Sequence, residues 1–210
     1  MYPPLTVHYL SNDGTQNHLR YRSLSDLVLT GTINVDAPPT RLLVDWEREM
    51  AQQLKLEPGD VEALPLARAR MRWPDYSACV LAAVEWTRTL GLADVLASSE
   101  VALMACRGAR YHHDAELYGG SAFCNLFLSE DKSLDLHFPA IGLRIPLVRG
   151  TTVIFDTALT HGVIQRRATE EHGFKASDFP PELDCSQVFL TWELPIENAH
   201  VSHALGISFQ

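Results

Sequence analysis

From Val101 onward the chain breaks into short β-patterned runs with no helical interval between them: 101–106, 110–114, 122–128, 134–138, 143–147, 152–155, 162–165 and 187–194. Each run is rich in apolar, β-branched or aromatic residues and is bounded by Gly, Pro, Ser or Asp turns. Strands at this spacing, without crossover helices, fit a two-sheet jelly roll (a double-stranded β-helix) better than a βαβ fold. One connection, from Arg166 to Ser186, is long and polar and contains Gly173, Pro180 and Pro181. A loop of that length in a compact domain is more often functional than accidental.

The first hundred residues read differently. After Pro38-Pro39, Thr40 is placed to cap a helix whose apolar positions Leu43, Trp46, Met50 and Leu54 recur at three- and four-residue steps. Glu57-Pro58-Gly59-Asp60 stops it. A second helix is expected after Pro74, with Asp75 as N-cap, Val80, Leu81 and Val84 facing inward, and Gly91 past its end. A short helical turn over 92–97 follows. The expected class is therefore α+β: one domain of 210 residues, with 1–99 supplying supporting helices and 100–210 the jelly-roll core.

Composition narrows the function classes. Apolar residues make up 46% of the chain and charged residues 20%, which suits a packed globular protein. The net charge of −9 disfavours a phosphate backbone as a partner. No run reaches the roughly 18 apolar residues of a membrane span, and no signal peptide is recognisable. The four cysteines show no C-x-x-C spacing and fall mostly in apolar runs, so buried free thiols in a reducing, cytoplasmic compartment are expected.

The residues that carry chemistry are His112 and Asp114, in Tyr111-His112-His113-Asp114, and His161, 47 positions after Asp114. Side chains alternate along a strand, so His112 and Asp114 point the same way and His113 the other. Two imidazoles and a carboxylate on one face suit Fe(II) and leave adjacent positions open; a structural zinc site would be closed. An H-x-D tripeptide alone is weak, since a hydrogen-bonded surface histidine beside a turn aspartate has the same letters.

The surrounding pattern resembles the prolyl 4-hydroxylase-like branch of the 2-oxoglutarate/Fe(II)-dependent dioxygenases. Tyr111–Asp114 is similar to that family's aromatic-H-x-D, and Asn125-Leu126-Phe127-Leu128-Ser129 to its Y-L-(S/N) strand. His137-Phe138-Pro139, Pro146-Leu147-Val148-Arg149-Gly150, His161-Gly162-Val163 and Thr191-Trp192 follow in the family's order, over residues 101–194. The resemblance implies Fe(II) on His112, Asp114 and His161, 2-oxoglutarate as cosubstrate and O₂ as oxidant. It implies oxidation of a C–H bond in a small molecule or a peptide side chain, with hydroxylation, desaturation or ring formation as outcomes.

One departure stands out. The family anchors the far carboxylate of 2-oxoglutarate with Arg or Lys five or six residues before the tryptophan, where this chain has Ser186 and Gln187, and its assisting tyrosine is Phe127 here. A buried carboxylate needs a cation or several donors. Arg144 on a core strand is the leading substitute, Arg166 the next and Arg110 a weaker one, while Asn125 and Gln187 are candidates for neutral hydrogen bonds to the cosubstrate. Two other readings remain open: a cupin-like iron enzyme independent of 2-oxoglutarate, and a non-catalytic jelly-roll binding protein. Oligomeric state is not legible.

Overall fold

The computed structural model describes residues 5–12, 17–167 and 186–209. Cys185 and most of the long polar connection, 168–185, lie outside the described residues.

The chain opens with an antiparallel hairpin, β1 (Thr6–Asn12) and β2 (Asn17–Ser23), followed by β3 (Leu29–Thr32). Helix α1 (Thr40–Arg48) runs on into a π-helical turn, Glu49–Leu54, and ends at Lys55 in the left-handed region. Then come β4 (Val61–Leu64), α2 (Leu66–Arg72), α3 (Tyr76–Arg88) and α4 (Ala93–Ser98). The strand-rich part consists of β5 (Val101–Cys106), β6 (Ala109–His112), a one-turn helix α5 (Ala115–Tyr118), β7 (Ser121–Phe127), β8 (Leu134–Phe138), β9 (Leu143–Pro146), β10 (Thr151–Asp156), β11 (His161–Gln165) and β12 (Gln187–Pro195). Helix α6 (Ala199–Ala204) follows. None of the described helices is long and apolar enough to cross a membrane.

The architecture is mixed helix and antiparallel sheet. A six-stranded sheet has the order β3-β10-β7-β12-β5-β4, and a four-stranded sheet the order β6-β11-β8-β9. The period-2 alternation of the strands sorts their side chains into two cores. Leu126, Ile154, Leu190 and Trp192 on one face of the larger sheet pack with Trp46, Trp73, Ala83 and Leu96 from the helices. Phe127, Val153, Phe155 and Phe189 on its other face meet Leu136, Phe138, Ile145 and Val163 of the smaller sheet. Each such large side chain, taken from water to full burial, contributes roughly 1.5–3 kcal/mol, which is why both faces of the larger sheet are covered.

Several local expectations need correction. The first helix begins at Thr40 itself, with Pro39 as its N-cap residue, so no hydroxyl caps it; Leu42, Trp46 and Met50 are its buried positions, while Leu43 and Leu54 are only partly covered. Helix α3 buries Cys79, Ala83 and Thr87; Val80 and Val84 pack partly covered against the same core, and of the expected inward positions Leu81 alone fails, at 61% exposed. The small side chains of Cys79, Ala83 and Thr87 let the helix approach its neighbours closely, whereas the aliphatic count alone favoured the adjacent stripe. Asp75 stands at the α3 N-cap without a capping hydrogen bond. Strands β1 to β3 fall in the first forty residues, where short β-like runs alternate with polar loops, whereas β4 and helix α2 carry no such signal.

Gly150, in the turn between β9 and β10, has φ +85°, and a Cβ there would lie 2.0 Å from the Ile33 carbonyl oxygen. The turn that joins the two sheets therefore requires glycine.

Candidate metal centre

His112 ends β6 and His161 begins β11, and the two face each other directly across the antiparallel pair. Their rings are 4.5 Å apart. Asp114 was expected on the same strand as His112; instead the strand stops at His112 and Asp114 is the N-cap residue of α5. It still arrives on the same side: Asp114 Oδ1 is 3.6 Å from His112 Nε2 and Asp114 Oδ2 is 3.6 Å from His161 Nε2. One donor atom from each residue lies within 4.8 Å of the others, a spacing that admits a single ion between them.

The local chain explains why these atoms converge. The Asp114 amide donates to the Thr157 carbonyl at 2.7 Å, and the Thr157 hydroxyl donates to the Tyr118 and Ser121 carbonyls at 2.7 and 2.8 Å. The turn leading to His161 is thus bolted to the helix that starts at Asp114. Asp156, at the end of β10, is held by Arg22 through two hydrogen bonds of 2.6 and 2.7 Å, and Arg22 Nε also donates to the Gly119 carbonyl at 2.9 Å. Both Arg22 and Asp156 are fully buried. Gly162 lets β11 pass under the Tyr111 ring, which a Cβ there would meet at 3.2 Å.

Electrostatics favour a neutral, metal-ready imidazole. Burial, with His112 nearby, pulls the His161 pKa down to about 4. Its Nδ1 faces the Leu159 carbonyl at 3.0 Å, and His112 Nδ1 faces the Arg110 carbonyl at 2.5 Å. A proton on each Nδ1 leaves both Nε2 lone pairs for a ligand, the usual outer support of a metal-binding histidine. Burial raises the Asp114 pKa, opposed by His112 and His113. A bound cation would remove that penalty.

The three residues sit at one end of a cavity of about 230 Å³ between the sheets. The strand registers arrange one of its walls in rows. Phe155, Phe123 and Glu193 form the row nearest the triad, Asn125 and Thr191 the next, and Phe127 with Phe189 the third. His161 contacts the Phe155 ring at 4.7 Å. Phe127 and Phe189 lie 5.1 Å apart and close the deep end. Burial and the Glu100 carboxylate raise the pKa of Glu193, which lines the cavity.

Of the cosubstrate candidates, the structure brings only Asn125 to the cavity; it is 7% exposed, and its Oδ1 has no partner among the described residues. Arg144 pairs with His137 across β8 and β9, on the face opposite Leu136, so it points away from the cavity. Arg166 is held outside by Asp135 at 2.8 Å and Asp131 at 3.0 Å. Gln187 is buried one row beyond Phe189, with Nε2 3.4 Å from the Leu147 carbonyl. Arg110 is exposed beside Pro58. His137 lies on the outer face, hydrogen-bonded to the Tyr111 hydroxyl, and His113 and Glu116 are exposed. Sequence reasoning missed Tyr118, Glu193 and the Arg22–Asp156 pair. A buried pair 134 residues apart leaves no local pattern.

No protein-family model and no curated protein matches the chain. Solved structures do. A viral collagen prolyl hydroxylase from Paramecium Bursaria Chlorella virus-1, in complex with 2OG, matches with 9% identity over 79% of this chain and 94% of that one, at a TM-score of 0.40. A Pseudomonas putida prolyl-4-hydroxylase matches with 15% identity over 80% and 92%, at 0.42. A 2OG-Fe(II) oxygenase family oxidoreductase from Burkholderia pseudomallei matches with 11% identity over 91% and 73%, at 0.29. Likenesses this remote leave the chemistry to be read from the site itself.

Proposed function

We propose that this chain is a non-haem Fe(II) oxygenase on a jelly-roll scaffold, oxidising a C–H bond of a small molecule or a peptide side chain with the help of a 2-oxo acid. The observation that carries the reading is the convergence of His112, Asp114 and His161 at the end of a largely apolar cavity. The alternation of β5 to β12 between two sheets, in the orders β10-β7-β12-β5 and β6-β11-β8-β9, supports the jelly-roll part.

The donor set fits iron. His112 and His161 through Nε2 and Asp114 through its carboxylate would hold the ion, a donor set that suits Fe(II) and would leave positions open for other ligands. Bound iron supplies the O₂ chemistry that no side chain provides. The protein's own groups do the rest. The Leu159 and Arg110 carbonyls hold the histidine rings in orientation. Phe123, Phe155 and Tyr118 line the cavity beside the triad with apolar surface that disfavours water, and Glu193 leaves the same wall polar.

The far end fits 2-oxoglutarate poorly. No lysine or arginine is among the described residues lining the cavity, so its second carboxylate meets no cation among them.

The test is anaerobic calorimetric titration with Fe(II). One equivalent is expected to bind the wild-type protein, with binding lost in His161→Ala and kept in His113→Ala. A wild-type protein that holds no iron would sink the proposal.

A further inference from the structure

The mismatch at the far end of the cavity has a chemical meaning. Arginines close to the two sheets are committed elsewhere: Arg22 to Asp156, Arg166 to Asp131 and Asp135, and Arg144 to the outer face of the smaller sheet. The formal charges on the described cavity wall are those of Asp114 and Glu193, both acidic. A ligand carboxylate beyond the triad would therefore be buried without a counter-charge among the described residues, which is strongly unfavourable.

The rows of the sheet show what the cavity offers instead. Same-face residues along a strand are about 7 Å apart. The Asn125–Thr191 row thus stands one such step beyond the Phe123–Phe155 row that touches His161, and the Phe127–Phe189 pair closes the space one step further. Asn125 faces this space with a carboxamide oxygen that has no partner among the described residues, and Thr191 is its cross-strand neighbour. The remaining wall is Ala102, Met104, Leu136 and Val163. Neutral dipoles and hydrocarbon recognise an uncharged group.

We infer that the cavity beside the triad accepts a 2-oxo acid whose side chain is uncharged, branched or aromatic, and discriminates against the dicarboxylate 2-oxoglutarate. The inference rests on the iron-oxygenase reading above. The 2-oxo acid end lies against the ion, which balances its single carboxylate. The side chain runs over the packed Phe123 and Phe155 rings toward Asn125 and Thr191, and ends against Phe127 and Phe189.

The experiment is anaerobic titration of the Fe(II)-loaded protein with 2-oxo-4-methylpentanoate, phenylpyruvate and 2-oxoglutarate. The visible charge-transfer band of a bidentate 2-oxo acid on iron reports binding without turnover. At least one of the uncharged-tail acids should bind about ten-fold more tightly than 2-oxoglutarate, or better. Thr191→Lys, which puts an ammonium beside Asn125, should shift the preference toward 2-oxoglutarate; the wild-type comparison decides the matter if that variant does not fold. Equal or tighter binding of 2-oxoglutarate by the wild type overturns the inference while leaving the iron site standing. Bound iron with no band for any of the acids overturns it too. Failure to bind iron at all removes the oxygenase reading, and the inference with it.

Discussion

Arg22 grips Asp156 with two parallel hydrogen bonds, 2.6 and 2.7 Å long, and neither side chain is exposed to solvent. Asp156 also accepts from the amides of Ser25 and Ala158, both at 2.9 Å. The fork joins the N-terminal hairpin to the turn that delivers His161.

Arg22→Met should destabilise the protein by about 3–5 kcal/mol, because it leaves a buried carboxylate without its cation. The double variant Arg22→Met/Asp156→Leu should recover much of that loss, since it removes both charges together. Urea unfolding midpoints of the three proteins check this; a double variant no better than the single one would mean that the pair acts through geometry rather than charge.

Acid should weaken the metal-free protein through His161. Its folded pKa lies near 4, below the ordinary histidine value of about 6.5. Between those values the unfolded chain binds a proton that the folded protein refuses, so stability falls as pH drops from 6.5 toward 4. The loss is on the order of 3 kcal/mol at most. Asp114, with its pKa raised by burial, works in the opposite sense from about pH 3.8 upward and offsets part of the loss at the acid end. Thermal unfolding across pH 4–7 should show the decline in the wild type and a flatter profile in His161→Leu.

The grouping of His112, Asp114 and His161 is legible in the letters for a definite reason. His112 and His161 sit at strand ends, where the two-residue repeat and the turn signals are strong, and the strand runs fall within a few residues of the observed ones. The failures have causes too. Asp114 was expected on a strand because H-x-D alternates correctly, but its side chain reaches the site from a helical turn. Arg144 was chosen for being a cation on a core strand, and sequence does not tell which face of the sheet a given parity meets. Strand β4 is only four residues long and carries no strand signal.

Because Arg144 faces outward beside His137, Arg144→Ala should leave 2-oxo acid affinity within about two-fold of wild type and stability within about 0.5 kcal/mol. The same titration used for the cavity measures it, and a large loss of affinity would put Arg144 back at the ligand.

Gly150→Ala should be costly. The left-handed backbone alone costs a residue with a side chain roughly 1–3 kcal/mol, and the new Cβ would collide with the Ile33 carbonyl. A variant that unfolds at the wild-type urea concentration would show that the turn can relax.

The hairpin clamp also bears on how the protein is made. Arg22 and Ser23 lie near the beginning of the sequence, yet their partners are Gly119, Asp156 and Ser208. A ribosome finishes the hairpin long before any of these emerges. The hairpin must wait, unsettled, for these later-made segments, and until it docks the Asp156 carboxylate before the His161 turn lacks its Arg22 partner. Iron supplied during synthesis would meet an unfinished centre; iron supplied afterwards would meet one already set.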